Sequence, residues 1–513
     1  MAIAANFLRR AAERWPERVG FVERRADGSD DEVSFGALEA RVRHAAAELR
    51  ARGVRERDRV VLLAGNGTGV VVAWFAVTYA GATVIPVSTV SAAREVAHRL
   101  DHARCRAIVY DRAWEALARE AVAASSGGAA AVPLDELLAA AERAPADVPA
   151  EVDPASPAMI LYTSGTTGEA KGALISHAAL VTHTRVLVDE VLRLRESDRI
   201  LGVLPLAHSF GCRMVMLASL RAGCRCVLVP RFDAAASLAA MIEERITWVP
   251  AVPTMYAAWG ALPDGPKPAS LRWCLAAGSP MADEIARRAE ARFGVEVRQA
   301  YGMTEATIST LNTPPDERIY GCVGRPAPGI EVRIVDGEDR DARAGETGEV
   351  LIRGRNLMSG YLDDPAATAE AMRGGWMHTG DIGRLDDSGR LFVVDRLKDL
   401  IIRGGNNVYP SEVEAALASH PGVREVAVVG RPDDYLGEEV VAVVVAHADP
   451  PPSAEDLRDW AAARVAATKV PREYAFVDAL PLGPSRKVLK RALREEVASG
   501  RLRAIAAARS RRA

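Results

Sequence analysis

Two hydrophobic periods take turns along most of this chain, and that alternation restricts what it can fold into. Residues 35–53 carry apolar side chains at helical spacing and end at a glycine, and residues 59–64 then read as a short buried strand. Residues 107–110, 200–204, 226–229 and 247–250 repeat the strand pattern, each near a helical segment. Strands alternating with helices pair in parallel and are covered by those helices, so the pattern predicts α/β subdomains. The stretch 70–87 holds no charged residue over 18 positions, the length at which a membrane span becomes possible. Gly81 divides it into a helix at 70–79 and a buried strand at 82–87, which an α/β core explains better than one span. A chain of 513 residues has room for about three domains or subdomains.

The texture changes after Gly321. Residues 330–335, 348–353 and 390–394 alternate or run β-branched between Gly and Asp turns, which predicts a smaller, more antiparallel β unit. A compact tail domain follows residue 398, helical at 411–419 and strand-like at 425–429 and 440–445. Residues 501–513 hold five arginines and read as a frayed helix or a disordered tail. The Ala-rich piece 121–131 reads as a surface loop or weak helix.

Charge and cysteine usage exclude several classes. With 65 basic and 68 acidic residues the net charge is −3, so no global positive field marks a dedicated nucleic-acid binder. Six cysteines form no C-x-x-C pair and no histidine cluster accompanies them, so buried free thiols are expected rather than zinc or disulfides. Cys224 and Cys226, two apart, fall on one face of a strand. The first ten residues have no long apolar core of the signal-peptide kind, and with the free thiols this predicts a cytoplasmic protein. Only six of the 65 basic residues are lysines, which singles out each lysine for inspection.

One of those lysines closes the most informative segment, Leu161-Tyr-Thr-Ser-Gly-Thr-Thr-Gly-Glu-Ala-Lys-Gly172. It follows the apolar run 158–161 and packs four hydroxyls, two glycines and Lys171 into nine residues, 163–171. Glycines let backbone N–H groups converge on an anion, hydroxyls add hydrogen bonds and Lys adds charge, so this is a phosphate loop. It is not a Walker loop, because no G-K-[S/T] ends it.

The segment resembles the phosphate-binding loop of the ANL superfamily of adenylate-forming enzymes, which includes acyl-CoA synthetases, peptide-synthetase adenylation domains and luciferases. Gln299-Ala-Tyr-Gly-Met-Thr-Glu305 resembles the superfamily's Y-G-x-T-E motif, Trp376-Met-His-Thr-Gly-Asp381 its T-G-D motif, and Asp395-Arg-Leu-Lys398 its interdomain hinge. Gly404-Gly-Asn-Asn-Val-Tyr-Pro-Ser-Glu412 and the lysine motif around Lys487 follow in the expected order. The resemblance implies an N-terminal AMP-binding domain at 1–395, a hinge at 396–398, a mobile α+β C-terminal domain at 399–500 and the Arg-rich tail.

It also implies roles. Thr163, Ser164, Gly165, Thr166, Thr167, Gly168 and Lys171 would contact the ATP phosphates, as would Thr304. Glu305, with Thr163, would hold Mg²⁺, which prefers oxygen ligands. Ala300, Tyr301 and Gly302 would line one side of the nucleotide and Ala277 and Gly278 the other. Asp381, with Arg396 nearby, would take the ribose hydroxyls. His208 would orient the acid or gate the pantetheine tunnel, since a carboxylate is already ionised near pH 7 and needs no base. Lys487 would stabilise charge developing during adenylation. Gly404 and Gly405 would leave room for the pantetheine thiol of coenzyme A. Two positions depart from the superfamily's pattern: Arg486 stands where Gly is usual before the lysine, and Ala170 where Pro is common.

The implied reaction is acyl-adenylate formation from a small-molecule carboxylic acid and ATP, then transfer to coenzyme A with release of AMP. A carrier-protein loader and a non-catalytic nucleotide-binding homologue are the alternatives, and a homo-oligomer is compatible with the sequence. Acetate-specific relatives place Trp where this chain has Gly302, so an acid longer than acetate is expected. No acid stands near His208 to hold an amino group, which argues against amino acids. Arg213 has two readings, a helix-surface or salt-bridged arginine, or a partner for a second carboxylate.

Overall fold

The computed structural model describes residues 3–25, 29–140, 150–164, 170–447, 450–481 and 488–507. The chain divides into two compact units, residues 1–332 with 352–378, and residues 333–351 with 379–513.

The first unit contains two sheets. One has strand order Gly360–Tyr361, Ala170–Ser176, Pro157–Ser164, Thr83–Pro86, Arg59–Leu63, Ala107–Tyr110, Ala130–Pro133. The last five of these strands pair in parallel, while Ala170–Ser176 is antiparallel to both of its neighbours. In the other, Val297–Met303, Trp273–Ala276, Trp248–Ala251, Arg199–Gly202, Arg225–Leu228 and Val19–Arg24 are parallel neighbours. Strand Thr307–Leu311 returns antiparallel to Val297–Met303. Parallel pairing requires crossovers, and helices such as Thr68–Tyr79 and Asp283–Phe293 supply them.

The uncharged stretch at 70–87 is, as its glycine indicated, a helix (Thr68–Tyr79) and a strand (Thr83–Pro86). The helix is buried from Val70 to Tyr79 with no polar face, as a helix packed on several sides must be. No helix among the described residues is long and apolar enough to cross a membrane. Tyr256, Trp259 and Phe293 meet edge-on in the core beneath the second sheet. All six cysteines are buried and free.

In the second unit, Val423–Asp433 and Gly437–Ala446 form a long hairpin joined by Ile401–Arg403 and Glu473–Phe476. Arg403 and Glu439 form a buried ion pair at 2.9 Å, and Arg403 Nη1 also donates to the carbonyls of Thr468 and Val470. Saturating the guanidinium in this way offsets its desolvation. Lys490, one of the six lysines, is ion-paired with Glu414 at 2.6 Å, a structural use.

Of the tail, residues 508–513 lie outside the described residues, and the described part, 501–507, departs from expectation. Ile505–Ala506 is neither helical nor disordered but a short strand antiparallel to Glu473–Phe476. The exposed edge of that strand offers unpaired backbone groups, and the Ala507 N–H to Arg472 carbonyl bond continues the pairing. The Ala-rich piece is likewise divided, its first part ending the helix Glu115–Ala124 and its last part entering the strand Ala130–Pro133.

Candidate active site

The hydroxyl-rich loop hangs from an antiparallel hairpin. Register places Thr163 opposite Lys171 and Ser164 opposite Ala170, so the two strands fix both ends of the loop. Gly165, Thr166, Thr167 and Gly168 lie outside the described residues. At the hairpin's end Thr163 Oγ1 donates to Glu305 Oε1 at 3.3 Å. Tyr361, a residue the motif reading did not single out, donates its hydroxyl to the same oxygen at 3.0 Å. The Lys171 ammonium lies 5.3 Å from the centre of the Tyr361 ring. Burial raises the Tyr361 pKa, and Glu305 raises it further, so its hydroxyl keeps its proton and acts as a donor.

Local backbone explains how these side chains meet. Glu305 sits in the turn between Val297–Met303 and Thr307–Leu311, and its carbonyl accepts from Met358 N–H at 2.7 Å. Asn356 Nδ2 donates to the Ala306 carbonyl and to Ser309 Oγ, stitching the turn from the other side. Tyr361 reaches the site because Gly360–Tyr361 adds to the edge of Ala170–Ser176, pairing with Leu174 and Ala173. A buried carboxylate with half-buried hydroxyl oxygens beside it, at the end of a phosphate-type loop, fits a hard divalent cation such as Mg²⁺. Tyr361→Phe is expected to raise KM for MgATP roughly 3–10-fold by loosening Glu305. Tyr361→Leu, which also removes the ring beneath Lys171, should raise it further, and initial-rate kinetics would separate the two.

Ala277, Gly278, Ala300 and Tyr301 lie at the carboxyl ends of adjacent parallel strands, where ligands bind in open α/β sheets. Gly278 has φ +94°, a left-handed conformation that favours glycine. Thr304 is half-buried in the turn before Glu305. Gly302 occupies a β-bulge, and a Cβ there would lie 1.8 Å from the Thr307 carbonyl oxygen. The hairpin itself therefore requires this glycine, a reason separate from any acyl pocket, and Trp at 302 would displace the backbone before it shortened a pocket. Gly302→Ala alone should cost about 3 kcal/mol of stability. An unchanged midpoint in thermal unfolding would count against that close approach.

His208 caps the helical segment after the strand Arg199–Gly202, its carbonyl accepting from Cys212 N–H at 2.9 Å. Asn66 clamps the preceding loop, donating to the Leu204 carbonyl and accepting from Leu206 N–H. Gly211 is needed because a Cβ there would lie 2.2 Å from the Pro205 carbonyl oxygen. Arg213 is completely buried and, among the described residues, forms no salt bridge, contrary to the first of its two readings.

In the second unit Asp381 and Arg396 are cross-strand partners joined by an ion pair at 3.1 Å. Asp381 is buried while Arg396 is about half exposed. Thr379 Oγ1 accepts from Asp381 N–H, and Glu349 accepts from Gly380 N–H, fixing the T-G-D turn. Lys398 is exposed, and desolvation followed by the charge of Arg396 lowers its pKa. Gly404 and Gly405, at φ +56° and +77°, make the left-handed turn into Asn406–Val408. Lys487 lies outside the described residues.

Residues 8–362 match the family described as AMP-binding enzyme, and residues 412–487 match the AMP-binding enzyme C-terminal domain. The chain belongs to the AMP-binding enzyme family. This AMP-binding enzyme is 37% identical to a methyl-dioxo-octahydro-indenyl-propanoyl:CoA ligase of Rhodococcus jostii (strain RHA1), over 95% of this chain and 98% of the relative. It is 37% identical to a feruloyl-CoA synthase of an Amycolatopsis species, over 89% of this chain and 92% of the relative. Among solved structures it resembles the o-succinylbenzoate coenzyme A synthetase of Bacillus subtilis in complex with ATP and magnesium ion. There the TM-score is 0.84 and the identity 30%, over 95% of this chain and 99% of that one. The AMP-binding enzyme is an ATP-dependent, AMP-forming acid–thiol ligase of the ANL superfamily that makes acyl-CoA, with ATP, Mg²⁺ and coenzyme A as the expected cofactors.

Proposed function

We propose that this ligase activates a carboxylic acid larger than acetate, with residue roles divided between the two half-reactions. The observation that carries the division is the convergence of Thr163 and Tyr361 on Glu305, beside Lys171, at the end of the loop hairpin. In the first half-reaction the loop 163–171 with Thr304 holds the ATP phosphates and Glu305 with Thr163 holds the metal. When bound, Mg²⁺ supplies charge neutralisation at the phosphates. Ala277, Gly278 and Ala300 to Gly302 seat the base, Asp381 and Arg396 take the ribose, and His208 orients the acid. The acid's carboxylate attacks the α-phosphate, and Lys487 offsets the developing charge, so positioning and electrostatics meet the barrier. In the second, residues 399–500 turn about the hinge 396–398, and Gly404 and Gly405 line the approach of the thiol to the acyl carbon. The acids in the names of the two relatives given above are bulky, which supports an acid larger than acetate.

The test is pyrophosphate release and CoA-thioester formation across a panel from acetate to medium-chain and ring-bearing acids. Activity rising with size and dependent on CoA is expected. Activity confined to acetate would overturn the size assignment, and thioester formation on a holo-carrier protein with CoA inert would overturn the acceptor.

A further inference from the structure

One buried cation has no part in the chemistry above. Arg213 is 0% exposed, yet among the described residues none of Nε, Nη1 and Nη2 has a hydrogen-bond partner. A guanidinium has five donors and is among the costliest groups to bury without an acceptor. Its neighbours do not neutralise it. Burial pushes the Cys212 thiol up to about 12, so it is uncharged near neutral pH. Burial, and then Arg213 itself, push His183 down to about 3, so the imidazole is neutral and donates from Nε2 to the Ile308 carbonyl at 2.6 Å. Burial lowers Arg213 to about 10, which still leaves it charged at pH 7. Among the described residues no carboxylate acts on it.

Elements packed against the segment that carries Arg213 and against the turn before it hold further unsatisfied hydroxyls. Helix His177–Val186 packs against the segment Cys212–Leu217 and brings Thr184 beside His183; strand Thr307–Leu311 packs against the preceding turn Ser209–Gly211 and brings Thr307 beside Ile308. Among the described residues Thr184 Oγ1 and Thr307 Oγ1 are both buried without partners, and Thr307 is held at φ +52° although it is β-branched. Strand Thr307–Leu311 is also the return arm of the hairpin that carries Gly302 and Glu305, and Arg213 follows His208 by five residues on its own helix. A desolvated cation and two idle hydroxyls thus lie on elements continuous with the proposed acid site. Cys212–Leu217 is π-helical, with the Arg213 carbonyl accepting from Ala218 N–H. Such π-helical turns are rare and are found frequently at functional sites.

We propose that Arg213, with Thr184 and Thr307, receives a second carboxylate at the far end of the acid, so that the preferred substrate is a dicarboxylate converted to its mono-CoA thioester. The inference rests on the acyl-CoA ligase reading and adds to it the class of acid. One carboxylate is consumed in the adenylate and then the thioester; the other keeps its charge throughout and supplies the counter-ion Arg213 lacks.

The test compares kcat/KM for length-matched pairs: succinate and butyrate, glutarate and pentanoate, adipate and hexanoate, phthalate and benzoate. In the wild-type enzyme at least one diacid should exceed its monoacid by on the order of 10²-fold. Arg213→Met should lower that diacid-to-monoacid ratio by a similar factor, and Arg213→Lys, which keeps charge but not the fork, by less. Every monoacid matching or exceeding its diacid in the wild type would overturn the inference while leaving the ligase reading intact, as would a ratio unmoved in Arg213→Met. If Arg213→Met does not fold, the wild-type ratios and Arg213→Lys decide. No pyrophosphate release with any of these acids or with the ring-bearing panel would overturn the ligase reading instead.

Discussion

Glu305→Gln is expected to slow acyl-adenylate formation by roughly 10³-fold at fixed magnesium, the equivalent of about 4 kcal/mol. The carboxylate is buried, and both nearby hydroxyls donate to its Oε1. An amide of the same shape keeps the packing but removes the negative charge, and its NH₂ can turn a donor toward two donors. The variant should therefore fold, bind magnesium weakly and recover part of its rate as magnesium is raised. Thioester formation from supplied acyl-adenylate involves no triphosphate for a metal to neutralise, so it should fall far less. Pyrophosphate exchange and single-turnover thioester formation, each titrated with magnesium, check the prediction. Equal losses in the two half-reactions with unchanged magnesium dependence would show that Glu305 serves packing alone.

The sequence exposed the parts of this site that are contiguous and hid those assembled across the fold. Thr163 and Lys171 were legible because a phosphate loop concentrates hydroxyls, glycines and a cation within nine residues. Tyr361 was not, because it stands 56 residues from Glu305 and enters through a two-residue edge strand that no hydrophobic period announces. Asn66, which clamps the loop before His208, stands 138 residues from the carbonyl it binds. The α/β alternation was read well because buried strands and helices differ in period whatever they pack against. The described end of the chain, residues 501–507, is hidden in the sequence for the opposite reason. Residues 505–506 are too short to show any pattern and become a strand only because Glu473–Phe476 presents an edge.

Arg213 and Gly302 show a further limit. An arginine in an apolar run reads as a surface or paired residue, since full burial without a partner is rare. Only the packing of three separate elements reveals that no acceptor reaches it. Gly302 invites comparison with bulky residues at the same place in relatives. Its side-chain direction depends on a bulge in the pairing with Thr307–Leu311, which local sequence does not specify.

Lys487→Ala is expected to abolish adenylation selectively, lowering it by on the order of 10²–10³-fold while leaving thioester formation from supplied acyl-adenylate largely in place. Lysine is scarce in this chain, at six of 65 basic residues, and Lys487 falls at the end of the match to the C-terminal domain of the family. A cation aimed at charge that appears only between carboxylate and α-phosphate stabilises the transition state more than the ground state, so its loss should appear in kcat rather than in KM for ATP. If the second half-reaction uses a different face of the C-terminal domain, Lys487 is then away from the reacting atoms and its removal is neutral there. Pyrophosphate exchange reports the first step and CoA consumption with supplied adenylate the second. Losses of equal size in both would mean that one arrangement of the chain serves both steps. Arg486 adds a control, because it stands where the resembled lysine motif usually has glycine. Arg486→Gly should leave the first step intact or faster, and a collapse of activity there would transfer the charge-stabilising role from Lys487 alone to the Arg486–Lys487 pair.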